Sequence, residues 1–234
     1  MGYYWAYYAL TLFAAYAVHN PLVCGVALVL YLARPWLPDP AAMWRNLGRI
    51  GALKQQVTLN ASNAIARRDL GRAYLELRRP RTALRYLEQA RERDPRDPEV
   101  AYLRGLALLG AERDEDALRA LGEAVGIDPD RGEPFSSRRE GGSRFSRFSE
   151  AYLAAATALE RLGRLPEAEQ VLELASDHNS SLVEPLVRLS RVRRRQGDGK
   201  RATEAAKQAR KTFGELPGFM KRRQLAWGIR AYLG

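Results

Sequence analysis

Small and apolar residues recur at helical spacing over residues 64–97, and the whole pattern returns over residues 98–131. Each copy has small and apolar residues in a first helix, two alanines and a leucine in a second helix, and a proline behind it. This period of about 34 residues predicts helical hairpins that stack into an all-α solenoid. The repeated residues are Gly71, Tyr74, Ala83, Leu87, Ala90 and Pro95, followed by Gly105, Leu108, Ala117, Leu121, Ala124 and Pro129.

The order of these residues resembles the tetratricopeptide repeat. Glycine and alanine allow two helices to approach closely, tyrosine or leucine fills the seam between them, and proline ends the second helix. The first two units are Ala64–Asp97 and Pro98–Arg131. Arg67 and Ala101 occupy the place where the family usually has tryptophan.

The resemblance extends with weaker matches to residues 148–214, which predict the third and fourth units. Ser180 and Gly214 stand where proline is expected, and Arg193 replaces the residue of the fourth seam. Residues 215–234 predict a capping helix, and residues 35–63 an amphipathic connecting helix or a partial repeat. The residues that carry these matches are Tyr152, Ala156, Leu159, Gly163, Ala168, Leu172 and Ala175, then Leu186, Leu189, Ser190, Ala202, Ala206 and Ala209.

An insertion separates the second unit from the third. The step from Ala117 to Ala168 is 51 residues, which is 17 more than one period. Residues 132–147 are rich in Gly, Ser and Arg and have no helical period, so they predict a loop. A functional insertion and a plain surface loop both fit this composition. Arginines interleaved with phenylalanines there could also contact nucleic acid.

The apolar segment at residues 1–33 contains no Asp, Glu, Lys or Arg. Two apolar arms meet at His19, Asn20 and Pro21, and a continuous helix through both would exceed the roughly 30 Å hydrocarbon core of a bilayer. Residues 1–34 therefore predict a membrane anchor in contact with lipid. A helical hairpin, slightly favoured, and a single transmembrane helix kinked at the proline are the two topologies.

The charges that follow the apolar segment predict its orientation. Arg34, Arg45, Arg49 and Lys54 come directly behind it, and no Lys or Arg precedes it. The positive-inside rule then places the repeats in the cytoplasm. The Arg/Ala/Leu-rich composition suggests a bacterial inner membrane, and the single cysteine, Cys24, rules out a disulfide framework within the chain.

The net charge of +11 is concentrated at the C-terminal end, where residues 182–234 carry 14 Lys or Arg and 4 Asp or Glu. Such a basic patch suits anionic lipid, an acidic protein or a nucleic-acid backbone, or it is a solvated helix face. Arg193 belongs to the same stretch. The patch comprises Arg191, Arg194, Arg195, Lys200, Arg201, Lys207, Arg210, Lys211, Lys221, Arg222 and Arg223.

Motifs for chemistry are missing from the sequence. It has no glycine-rich phosphate loop, no Cys/His metal spacing and no nucleophile elbow. His178 lies among turn-forming residues and His19 lies in the apolar segment. We therefore expect no catalytic residue, no metal and no cofactor, and we do not expect an enzyme.

The family resemblance implies a partner-binding groove on the concave face, lined by the second, fifth, ninth and twelfth residues of each first helix. It implies a groove that is basic at one end, apolar in the middle and acidic at the far side, which suits a short peptide or helix with acidic and apolar residues. The residues are Ile65, Arg68, Arg72, Leu75, Glu99, Tyr102, Leu106, Leu109, Glu150, Leu153, Thr157 and Glu160.

These features together predict a membrane-anchored adaptor or scaffold that holds a partner protein at the cytoplasmic face of the membrane. Confinement near the bilayer would raise its effective concentration for membrane-bound partners. One alternative is a membrane-tethered module that binds nucleic acid or the ribosome through the basic patch. Another is a structural subunit of a larger membrane complex.

Overall fold

The computed structural model describes residues 40–127 and 147–233, together with the isolated positions Thr11, Asn20, Leu22 and Gly25. The anchor expected at residues 1–34 lies outside these two stretches, as does the loop expected at residues 132–147 except for Arg147. Of the helices described, none is both long and apolar enough to cross a bilayer.

The regular structure of the two described stretches is entirely α-helical, in agreement with the all-α prediction. The chain divides into two compact units, Met1–Gly48 and Arg49–Gly234, and only the start of α1 and the isolated positions are described in the first. The helices are α1 Pro40–Leu59, α2 Ala64–Glu76, α3 Pro80–Arg93, α4 Pro98–Gly110, α5 Asp114–Val125, α6 Phe148–Arg161, α7 Leu165–His178, α8 Val183–Arg195, α9 Gly199–Glu215, α10 Gly218–Arg223 and α11 Leu225–Leu233.

Helices α2 to α9 form four consecutive hairpins, and the second helix of each packs on the first helix of the next. The stacking continues from α5 to α6, across the insertion. The four hairpins share one apolar core, to which α1 contributes Ile50 and Leu53. Each hairpin therefore buries its apolar side against its neighbours, as a solenoid requires.

Close approach within the first two hairpins depends on glycine. A Cβ atom added to Gly71 would lie 2.5 Å from Cδ2 of Leu87, and one added to Gly105 would lie 2.5 Å from Cγ of Leu121. Both leucine side chains are completely buried. The two glycines occupy equivalent places in consecutive units, so the sequence period corresponds to a repeated packing contact.

The turn inside each hairpin adopts a left-handed backbone conformation at the same place in every unit. Gly163 and Gly197 take it in the third and fourth units, with φ of 74° and 85°. Arg78 and Glu112 take it in the first two units, with φ of 54° and 61°. Because left-handed residues with a Cβ cost about 1–2 kcal/mol, these two turns are held by the surrounding hairpin.

The C-terminal cap consists of two helices where the sequence predicts one. The break falls at Gln224, whose Oε1 accepts a 2.8 Å hydrogen bond from the Val183 amide and whose Nε2 donates to the Ser181 carbonyl at 2.9 Å. These bonds connect the cap to the start of α8. Trp227 is half-buried in the cap, whereas Phe219 and Tyr232 are exposed.

Candidate functional site

The first helices of the four hairpins share one face, which we call the first-helix face. It comprises the second, fifth, ninth and twelfth positions of each unit. In α2, the buried residues Ala66, Leu70 and Tyr74 lie on the opposite side. The first-helix face contains Ile65, Arg68, Arg72, Leu75, Glu99, Tyr102, Leu106, Leu109, Glu150, Leu153, Thr157, Glu160, Glu184, Val187, Arg191 and Arg194.

The arginines at the α2 end of this face form ion pairs with carboxylates near the neighbouring unit. Arg68 Nη1 lies 3.1 Å from Asp97 Oδ2, and Arg72 Nη2 lies 2.5 Å from Glu99 Oε1. Burial lowers the pKa of Arg68, but the hydrogen bond with Asp97 and the charges of Asp97 and Asp69 outweigh it and raise the pKa overall. This end is therefore charge-balanced, and the expected basic end of the groove is not found there.

The middle of the first-helix face is more enclosed than the sequence suggests. Tyr102 is 6% exposed and Leu109 is 8% exposed, so both offer little surface to a partner. The Arg147 guanidinium lies 5.9 Å from the Tyr102 ring centroid and 3.7 Å from Glu99. Burial raises the pKa of the Tyr102 hydroxyl, and the charge of Glu150 raises it further.

Arg188 joins the third and fourth units on the same side of the stack. Its guanidinium donates to Glu160 Oε1 at 2.9 Å, to the Leu153 carbonyl at 3.0 Å and to Thr157 Oγ1 at 3.1 Å, and it pairs with Glu184 at 3.3 Å. Of the two glutamates expected on the acidic far side, Glu160 is therefore paired with this cation. Arg188 was not among the residues predicted for the groove.

Accessible apolar surface remains on this face. Ile65 is 63% exposed, and Leu75, Leu106 and Leu153 are partly exposed while packing against the core. These side chains alternate with paired charges. A mixed apolar and charge-paired surface of this kind is typical of protein interfaces.

The predicted basic patch contains cations that connect neighbouring helices and cations that are exposed to solvent. Arg193 binds Glu169 at 2.8 Å and Glu173 at 2.5 Å, and Arg201 lies 2.7 Å from Glu169. These contacts connect the third unit to the fourth. At the seam position of the fourth unit, Arg193 thus forms ion pairs where the repeat pattern has an apolar contact. Lys221 donates to the Gly214 carbonyl at 2.7 Å. The exposed members are Arg191, Arg194, Arg195, Lys200, Arg201, Lys207, Lys211, Arg222 and Arg223, and Arg210 is partly exposed.

A cavity of about 250 Å³ lies between α3, α4 and α5, away from the first-helix face. Arg104 is one of its lining residues and pairs with Glu88 at 3.1 Å and Glu123 at 3.3 Å. Arg113 pairs with Asp116 at 2.6 Å. Carboxylates in the wall therefore already pair with guanidinium groups, which makes this a structural ion-pair network.

The one described histidine has a packing role. The His178 ring stacks on Phe148 and Tyr152, with centroids 5.3 and 5.5 Å apart. Over residues 40–127 and 147–233, no group of three His, Cys, Asp or Glu side chains is placed to hold a metal ion. The contacts of His178 provide no chemistry.

Residues 68–131 match the tetratricopeptide repeat family. The matched segment covers most of the first hairpin and all of the second. It contains the Gly71–Leu87 and Gly105–Leu121 contacts described above. The match ends at residue 131, so the third and fourth hairpins continue the repeat architecture with sequences that diverge from the family pattern.

Solved structures of other tetratricopeptide-like proteins have the same fold. A crystal structure of MamA is 17% identical, covers 75% of this chain and 89% of its own, and has a TM-score of 0.61. MamA from Desulfovibrio magneticus RS-1 is 16% identical, with coverages of 75% and 96% and a TM-score of 0.59. Pseudomonas aeruginosa pilF is 18% identical, with coverages of 85% and 84% and a TM-score of 0.56.

No curated protein matches the chain. The similarity to the solved structures, at 16–18% identity, concerns the fold.

Proposed function

We propose that this protein is a membrane-anchored scaffold that binds a partner protein on its first-helix face. The observation that carries the proposal is the continuity of this face over four stacked hairpins, with exposed Ile65 at one end and exposed Arg191 at the other. Ion pairs such as Arg72–Glu99 hold the face in a preorganised shape. Preorganisation lowers the conformational cost of binding an extended or helical segment.

This surface is better suited to binding a partner protein than to catalysing a reaction. The charged groups Arg68, Arg72 and Glu160 are held in ion pairs with structural partners. A catalytic acid or base instead needs a proton that it can exchange with a substrate. Partly exposed leucines between these pairs offer contact area to a partner. The related folds of MamA and pilF agree with a role in protein–protein interaction.

Membrane anchorage is the second part of the proposal and rests on the sequence. Residues 1–33 are uncharged and largely apolar, and four cations follow between positions 34 and 54. This arrangement favours insertion with the repeats on the cytoplasmic side, and the composition favours a bacterial inner membrane. The anchor would keep the first-helix face close to membrane-bound partners.

The partner-binding surface is tested by changing its accessible leucine and isoleucine. We expect an Ile65→Asp/Leu106→Asp variant to reduce partner binding by about tenfold or more, because binding would then have to bury two carboxylates in place of two apolar side chains. The measurement is cross-linking in isolated membranes followed by quantitative mass spectrometry. Urea unfolding of each variant would show that the hairpins remain folded.

The matched control is Leu162→Asp/Leu225→Asp, which changes two exposed leucines outside the first-helix face. This control should retain the cross-linked partners of the unmodified chain. Equal retention by both double variants would show that the first-helix face is not the binding surface.

Membrane anchorage is tested by placing charge in the apolar segment. We expect the unmodified chain to remain in the membrane pellet after alkaline carbonate washing. A Leu12→Arg/Leu28→Arg variant should be released, because each arginine at the bilayer centre costs about 2.5–3.5 kcal/mol on insertion scales. Leu12→Ile/Leu28→Ile is the control. Release of the unmodified chain by the wash would refute the anchor.

A further inference from the structure

A small pocket lies at the C-terminal end of the first-helix face, where α11 packs against α8 and α9. Its volume is about 40 Å³, which is room for about three water molecules or one carboxylate group. Arg191 and Arg194 reach it from α8, and Arg230 reaches it from α11. Three arginines therefore line a space the size of a small anion.

The pocket differs from the other arginine clusters of the protein because no carboxylate is among its lining residues within the described part of the chain. Arg193 and Arg201, in contrast, share Glu169 and Glu173. Over the described residues, neither Arg191 nor Arg230 has an ion pair with an acidic side chain. The charges of Arg191 and Arg230 are thus left available to an external anion.

The position of Arg230 is set by an aromatic contact. Its guanidinium lies 4.5 Å from the centroid of the Trp227 ring. Because stacking uses the planar face of a guanidinium, its N–H edge remains available for hydrogen bonding. Trp227 itself packs against the core, so this arginine is held in place before any ligand arrives.

The rest of the lining is apolar or small and consists of Val187, Ala206 and Ala231 with Ser190. A lining that combines apolar residues with arginines suits an amino-acid side chain that combines methylene groups with a carboxylate. A phosphate group, with five heavy atoms, fills more space and gains less from the apolar wall. The chemistry therefore favours glutamate or aspartate of a protein over a phosphate.

We propose that this pocket binds an acidic side chain of the partner segment that lies on the first-helix face. Arg191 and Arg194 are the ninth and twelfth residues of the fourth unit, so the pocket is continuous with that face. The inference rests on the proposed function and adds the chemistry recognised at one end: an apolar segment followed by Glu or Asp. Arg191 and Arg230 are the residues that select it.

The test begins with random peptides displayed on phage and selected on the full chain in detergent micelles. We expect the enriched peptides to combine apolar residues with Asp or Glu. One enriched peptide is labelled with fluorescein, and its Kd is measured by fluorescence anisotropy. The Arg191→Gln/Arg230→Gln variant should bind it about tenfold more weakly, as expected for the loss of charge-assisted hydrogen bonds.

Two controls test whether the loss of peptide affinity is specific to the pocket. Arg222→Gln/Arg223→Gln removes two exposed cations that do not line the pocket and should leave Kd within about twofold, because exposed charges contribute little. The peptide with its acidic residues changed to Gln or Asn should bind the unmodified chain weakly. The neutral peptide should bind the Arg191→Gln/Arg230→Gln variant with the same Kd as it binds the unmodified chain, because the peptide change and the protein change remove the same interaction.

Other outcomes overturn the proposal at different levels. Enrichment of peptides without acidic residues, bound equally by the pocket variant, would leave the proposed function intact and refute the pocket assignment. Failure to enrich any peptide would contradict the proposed function itself. Binding to phosphatidylglycerol vesicles that disappears in the pocket variant, with unchanged peptide binding, would assign the pocket to lipid phosphate instead.

Discussion

Replacement of Gly71 by valine is expected to lower the free energy of unfolding by about 3 kcal/mol, at the upper end of the usual cost of overpacking. The added Cβ alone would lie 2.5 Å from Cδ2 of Leu87, inside the distance that two carbon atoms can share. Leu87 is fully buried and cannot move away without displacing its neighbours. Urea unfolding of the full chain in detergent, followed by far-ultraviolet circular dichroism, measures the loss.

Gly214→Ala is the matched control, because nothing lies within 4 Å of a Cβ at this helical glycine. Alanine there should be neutral or should stabilise by up to about 1 kcal/mol through its higher helix propensity. A Gly71→Val/Leu87→Ala double variant should lose less stability than the sum of the single changes, since the smaller side chain makes room. Full additivity would mean that the two residues do not share a tight contact.

Replacement of Arg188 by methionine is expected to lower the free energy of unfolding by about 2 kcal/mol, as for the loss of charged hydrogen bonds at a largely buried site. Its side chain is 9% exposed, and its guanidinium bonds to Glu160, Thr157 and the Leu153 carbonyl. Removing one member of a buried pair costs about 3–5 kcal/mol, but Glu160 and Glu184 are each 27% exposed, so solvent reduces the loss. The same unfolding measurement detects it.

Arg119→Met is the control for the loss of an arginine. That side chain is 63% exposed and lies 3.8 Å from Asp116, so its removal should change stability by no more than about 0.5 kcal/mol. Combining Arg188→Met with Glu160→Gln should cost less than the two single changes together. Equal effects of Arg188→Met and Arg119→Met would show that Arg188 does not fasten the third unit to the fourth.

The hairpins and their seams could be predicted from sequence because they depend on residue size at fixed spacing. Gly71 and Gly105 must be small wherever a leucine of the second helix crosses them, and the repeat period records this requirement. The third and fourth units follow the same rule, since the small residues Ala156 and Ser190 are buried at the corresponding place. Local spacing thus contains the information that the hairpin architecture needs.

The character of the first-helix face could not be predicted in the same way. Arg68 and Arg72 were expected to make one end basic, yet Asp97 and Glu99 of the next unit neutralise them. Arg188 similarly pairs with Glu160 of the expected acidic side. Whether a charge is free or paired depends on the residue opposite it in the neighbouring unit, and the repeat pattern does not specify that residue.

The residue pattern was enough to predict an all-helical repeat with small residues at its seams, because helix packing depends on side-chain volume and on a period that is visible along the chain. The packed fold was needed to establish which arginines are buried, where the C-terminal cap breaks, and that Arg230 joins Arg191 at one pocket. These features join residues that lie far apart along the chain. Their free energies arise from desolvation and hydrogen bonding in the assembled stack, which exist only once the units have packed together.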